Sequence, residues 1–150
     1  LNMSGGTLAP GNSPGMTTIN GDYLLTGGLL DMELAGLTQG TGYDFLDING
    51  NWTITGGDLQ ISLLGGFTPM AGNSFDLFDF NSLTGMFDNV FLPTLGSGLS
   101  WNTSSLYTTG VLSVNNAAAV PEPSTFGLLA IGSLSCIVLR RRRSGLAKQV

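Results

Sequence analysis

Apolar and polar positions alternate with a period of two along the first half of the chain. Leu30, Met32 and Leu34 alternate with Asp31, Glu33 and Ala35, and Leu59, Ile61 and Leu63 alternate with Gln60, Ser62 and Leu64. Successive side chains of a strand point to opposite faces, so each segment predicts a strand with one apolar face and one mostly wet face. Asn20-Gly21, Asn49-Gly50 and the Gly-Gly pairs 27–28 and 56–57 are expected to supply the positive φ of tight turns. Each unit therefore predicts turn, strand, turn, strand, with no run long enough for a helix.

These units repeat. The stretch Ile19–Gly28 recurs as Ile48–Gly57, offset by 29 positions without a gap, and the alternating segments that follow keep the same offset. Met3-Ser4-Gly5-Gly6-Thr7-Leu8 is a third, partial copy. One such unit cannot bury its apolar face alone, whereas stacked copies bury a continuous core. A parallel β-helix or β-solenoid is the expected architecture, with an antiparallel sandwich as the alternative.

Downstream the period fades. Phe75, Leu77 and Asp79 lie on one side of an expected strand, and Asp76, Phe78 and Phe80 on the other, so both sides are partly buried. Leu99 to Val114 is expected to give closing strands, and its aromatic residues suit a cap over the open end of the stack. The chain thus divides into β-solenoid repeats over 1–66, a β-rich cap over 67–116, a linker over 117–125, an apolar helix over 126–139 and a basic tail over 140–150.

The last thirty residues have a different chemistry. Val120, Pro121, Glu122, Pro123 and Ser124 precede an uncharged apolar run from Phe126 to Leu139, which ends on Arg140, Arg141, Arg142 and Arg143. As a helix the run spans roughly 21 Å, at the short end for a single transmembrane crossing. Four guanidinium groups resist passage through hydrocarbon, so they predict a stop-transfer signal that stays cytoplasmic and leaves the N-terminal part on the other side. The two prolines are expected to keep Val120–Pro123 extended and accessible beside the membrane.

Charge follows the same division. All five basic residues lie in the tail, whereas the region before it carries only acids: Asp22, Asp31, Glu33, Asp44, Asp47, Asp58, Asp76, Asp79 and Asp88. Such a surface repels nucleic acid and anionic lipid, so neither is an expected partner of this region. The single cysteine, Cys136, lies in the apolar run and has no second cysteine to pair with. No export signal precedes the repeats, which start at once with Leu1-Asn2-Met3, so an upstream portion of a longer protein is expected.

Little here supports catalysis. The chain has no histidine, which excludes Ser-His-Asp and Cys-His arrangements. Asp44 with Asp47, or Asp76 with Asp79, are candidate acid and base pairs, but no cationic side chain accompanies them. Asp44, Asp47, Asn49, Asn51 and Asp58 faintly resemble a calcium loop, yet Trp52 stands where that loop needs its glycine. No enzyme, cofactor or metal site is therefore expected. Trp52, Trp101, Tyr23 and Tyr107 are candidate platforms for stacking on sugars.

Two resemblances add to these readings. The ordered trio of Pro-Glu-Pro motif, apolar run and arginine cluster resembles the PEP-CTERM sorting signal of exported bacterial proteins. It implies processing at Val120–Ser124 by exosortase, a membrane-embedded cysteine enzyme, and passage from the inner membrane to the cell surface or an exopolysaccharide matrix. Residues 3 to 114, through Gly5–Gly15, Tyr43–Ile48 and Trp101–Val114, resemble the autotransporter-associated β-strand repeats of bacterial surface passengers, which implies a right-handed β-helix. Together they imply a structural or adhesin-like surface protein. The alternatives are the cap and anchor of a larger β-helix carbohydrate-active enzyme, or a carbohydrate-binding surface module.

Overall fold

The computed structural model describes residues 1–118, which contain nine strands and no helix. These are β1 (Asn2–Leu8), β2 (Met16–Ile19), β3 (Tyr23–Leu34), β4 (Phe45–Leu63), β5 (Ser74–Asp76), β6 (Phe78–Gly85), β7 (Asn89–Phe91), β8 (Leu99–Asn102) and β9 (Val111–Asn116). They form a six-stranded sheet and a three-stranded sheet, so the described part is all-β. Every strand pairing in the larger sheet is parallel, and both pairings in the smaller one, ordered β5-β9-β8, are antiparallel.

The sequence repeat coincides with the register. Tyr23 pairs with Trp52, Leu30 with Leu59, Met32 with Ile61 and Leu34 with Leu63, so β3 lies on its own copy in β4. The partial copy pairs the same way, with Met3 opposite Leu25 and Leu8 opposite Leu30. On the other flank β4 pairs with β6 (Trp52 with Leu83) and with β7 (Leu59 with Val90), while β2 lies along the start of β4 (Ile19 with Ile48). Parallel in-register stacking puts like residues over like, and the inward column of Leu30, Met32, Leu34, Leu59 and Ile61 is buried as one core.

The glycines act differently from the turns expected of them. Gly27-Gly28 and Gly56-Gly57 lie inside β3 and β4, where the β3–β4 register shifts, and Gly28 (φ 99°) and Gly57 (φ 97°) bend the strand without ending it. Only a residue without a Cβ adopts that conformation readily. Asn49-Gly50 also lies within β4. Gly50 is not in the left-handed region; its small size is what matters, because a methyl there would overlap the Gly21 carbonyl of the neighbouring segment.

The segment from Phe75 to Phe80 is two strands rather than one. Asp76 ends β5 in the small sheet and Phe78 starts β6 in the large one, which explains why Phe75, Leu77 and Phe78 are all buried despite failing to alternate. The closing segment likewise splits into β8 and β9, joined by a turn-rich stretch. Phe75, Leu112 and Val114 from the small sheet share the same core as β3 and β4.

Candidate functional sites: carboxylates, aromatic rings and the sorting tail

Asp44 is the one fully buried charged residue among the described residues. Its Oδ1 accepts from the Gly15 amide at 2.6 Å and its Oδ2 from the Glu33 amide at 2.8 Å, so it ties together the entry to β2, the end of β3 and the start of β4. Burial pushes its carboxyl above the ordinary aspartate range, the two amide bonds act against that, and the charges of Glu33 and Asp31 add to the rise. Asp47, its supposed catalytic partner, is only half-buried and accepts from Thr18 Oγ1 at 3.3 Å. The fold therefore gives the two acids separate structural tasks.

Asp76 and Asp79 are exposed and belong to different sheets. Partial desolvation of its otherwise exposed carboxyl and then the charge of Asp79 raise Asp76, while Asp79 Oδ1 accepts from the Phe80 amide at 2.9 Å. Asp31 is also raised, first by burial and then by Glu33, and its Oδ1 has no hydrogen-bond partner among the described residues.

The residues that echo a calcium loop are occupied in bonds between neighbouring segments. Asn49 Nδ2 donates to Asn20 Oδ1 at 3.2 Å, the Asn51 amide donates to Asp22 Oδ1 at 2.8 Å, and Asn89 Nδ2 donates to Asp58 Oδ1 at 2.8 Å. Ser82 Oγ donates to Asn51 Oδ1 at 2.7 Å. These side chains form polar ladders outside the core, each joining residues one segment apart. Among the described residues no group of three or more His, Cys, Asp or Glu side chains is placed to hold a metal ion.

Of the four candidate sugar platforms, two belong to the core. Tyr23 and Trp52 are each 1% exposed and stack with ring centroids 5.6 Å apart and planes 15° from parallel. Burial moves the Tyr23 hydroxyl up to about 12. Phe78, Phe80 and Phe87 close around Trp52 at 5.1, 6.1 and 5.7 Å. Repeat-on-repeat register accounts for this: the aromatic position of one copy must sit above that of the next. Trp101 and Tyr107 are half-buried, Trp101 donating from Nε1 to the Pro93 carbonyl at 2.7 Å and Tyr107 packing 5.9 Å from Phe87.

An exposed ring does exist, at a position the alternation alone does not single out. Phe91, 52% exposed, ends the three-residue strand β7. Its register partner is Gln60, whose own partner is Asp31. The repeat does not reach it: the offset of 29 that carries Asp31 to Gln60 falls next on Asn89, and only the pairing register places Phe91 beside Gln60.

Val120–Ser124, the apolar run 126–139 and Arg140–Arg143 lie outside the described residues. No curated protein and no solved structure matches the chain, so the resemblance to autotransporter-associated repeats gains no support. Residues 119–143 match the PEP-CTERM protein-sorting motif, which implies a chain that is exported, processed by exosortase and anchored at the cell surface through its C-terminal part.

Proposed function

We propose that the chain is a structural, adhesin-like component of a bacterial surface or exopolysaccharide matrix, delivered as a single-pass inner-membrane precursor and released by exosortase at Val120–Ser124. The match of residues 119–143 to the sorting motif carries this reading. Supporting it, the described carboxylates and amides serve mainly to join strand to strand, as in Asp44 with Gly15 and Glu33, and Asp58 with Asn89. A side chain spent on such bonds is not free for acid-base work, and we assign the chain no catalytic role.

Within this reading residues 1–66 form a short β-solenoid and residues 67–116 its cap. Parallel pairing of each repeat with the next supports the first part, and the separate antiparallel sheet supports the second. Arg140–Arg143 hold the tail on the cytoplasmic side.

The test compares hosts with and without exosortase. The full chain, supplied with an export signal, is expected to yield a shorter product at the surface or in the medium only where the enzyme is present. Replacing Pro121 and Pro123 with Ala is expected to leave membrane insertion intact and slow release. Equal release in both hosts would refute the proposal.

A further inference from the structure

The outward face of β3, β4 and β7 combines carboxylates, amides and one exposed aromatic ring. Leu30, Met32, Leu59 and Ile61 turn into the core, and Val90 packs against it, so the alternating residues between and beside them face away. The register sets these in two columns, Leu29–Asp58–Asn89 and Asp31–Gln60–Phe91. Neighbouring strands lie about 4.8 Å apart, and residues two apart along a strand about 7 Å, so both columns fall within the footprint of two or three linked sugar rings.

The groups on this face are held in place. Asp58 Oδ1 is tied to Asn89 Nδ2 at 2.8 Å, and Gln60 Nε2 donates to Ser62 Oγ at 3.3 Å. That leaves the second carboxylate oxygen of Asp58 and the carbonyls of Gln60 and Asn89 as acceptors beside the exposed Phe91 ring. Asp31 and Glu33 add negative charge on the same side, and residues 1–118 contain no lysine, arginine or histidine to balance it. An acceptor-rich face with one exposed ring complements a chain that offers ammonium and hydroxyl donors together with apolar sugar faces.

Charge decides among the possible occupants. A second copy of this chain, a nucleic acid and a uronate polymer would each bring more negative charge against an uncompensated acidic face. We propose that the outward face of β3, β4 and β7 docks an amine-bearing polysaccharide, with Phe91 against a sugar ring and Asp58 against an ammonium group. This goes beyond the surface role proposed above and rests on it only for where the polymer is met. Processing at residues 119–143 is scored on a blot and docking on purified protein, so the two fail separately.

The experiment titrates the full chain, in a neutral detergent and low salt, with a glucosamine hexamer by calorimetry. The parallel arms use the N-acetylated hexamer and pentalysine. The glucosamine hexamer is expected to bind, more tightly than its N-acetylated form, and to weaken with added salt. Phe91→Ala is expected to weaken it about fivefold, the scale of one aromatic packing contact worth about 1 kcal/mol. Asp58→Asn keeps an acceptor for Asn89 but removes the charge, and is expected to weaken binding to a similar degree. Met86→Ala, which alters another exposed apolar side chain, is expected to change nothing. Circular dichroism of each variant confirms an unchanged fold. Absence of binding by the unaltered chain, wild-type affinity in both Phe91→Ala and Asp58→Asn, or pentalysine binding of equal strength with the same dependence on these residues would each overturn the proposal.

Discussion

Trp52 offers the sharpest check on the packing described here. Its ring is 1% exposed, stacked on Tyr23 and surrounded by Phe78, Phe80 and Phe87, so truncation to alanine leaves a cavity bounded by four rings from two strands and a loop. Removing a buried large aromatic in this way costs about 3–5 kcal/mol. That is a large share of the roughly 5–15 kcal/mol that holds a domain of this size folded. A second substitution separates shape from polarity. Trp52 Nε1 is buried with no hydrogen-bond partner among the described residues, and an orphaned donor costs about 1–3 kcal/mol. Phenylalanine keeps a six-membered ring and discards that donor, losing with the nitrogen two buried carbons at about 0.8 kcal/mol for each methylene-sized group. The two effects nearly cancel, so Trp52→Phe is expected to lie within about 1 kcal/mol of the wild type. Urea unfolding reads both variants: at about 2 kcal/mol per molar the alanine variant's midpoint should fall by roughly 2 M, and that of the phenylalanine variant by less than about 0.5 M. Trp101, the other tryptophan, remains as the fluorescent reporter. A phenylalanine variant as weak as the alanine one would show that the indole N–H has a partner, and the reasoning would fail.

Two other outcomes follow from the carboxylates. Asp31, Asp44 and Asp76 are all held above the ordinary range, in each case chiefly by burial. A folded-state pKa above the unfolded one means that the folded chain binds more protons, so stability falls as pH rises through the carboxylate range and is regained on acidification. Thermal melts followed by circular dichroism are therefore expected to show a higher midpoint at about pH 4.5 than at about pH 7.5; a lower midpoint at the acid pH would contradict the assigned shifts. Asp44→Ala strands the Gly15 and Glu33 amides and is expected to cost about 2–4 kcal/mol in urea unfolding, whereas Asp44→Asn keeps one acceptor and should cost roughly half as much.

Much of the large sheet was legible in the sequence because its repeat and its register are the same thing. Leu30, Met32 and Leu34 predict a strand by alternation and predict their partners, Leu59, Ile61 and Leu63, by recurrence. Local chemistry misled where tertiary packing decided the outcome. Asn49-Gly50 has the composition of a turn, yet Gly50 is selected by the approach of the Gly21 carbonyl, a contact with a segment far away in the chain. The run Phe75–Phe80 hides a change of sheet between Asp76 and Phe78, since a single strand and two short ones joined at Leu77 give the same apolar count. Tyr23 and Trp52 suggested surface platforms by residue type alone, whereas their equivalent places in the repeat stack one ring on the other. The sorting tail was readable without any structure, because its order of motif, apolar run and basic stop is linear chemistry.

The parallel register has a consequence for how the chain reaches its folded state. Every pairing in the large sheet joins residues more than twenty positions apart, so no tight hairpin in that sheet nucleates early, and each strand pair must close a long loop before its hydrogen bonds form. Contacts of that separation make folding slow, in the range of milliseconds to seconds. On the proposed solenoid reading, each strand pair once formed presents an edge for the next. A sequence that delays its first long-range contact remains threadable in the meantime. For a chain whose sorting motif implies export, slow nucleation would leave the polypeptide open during transit.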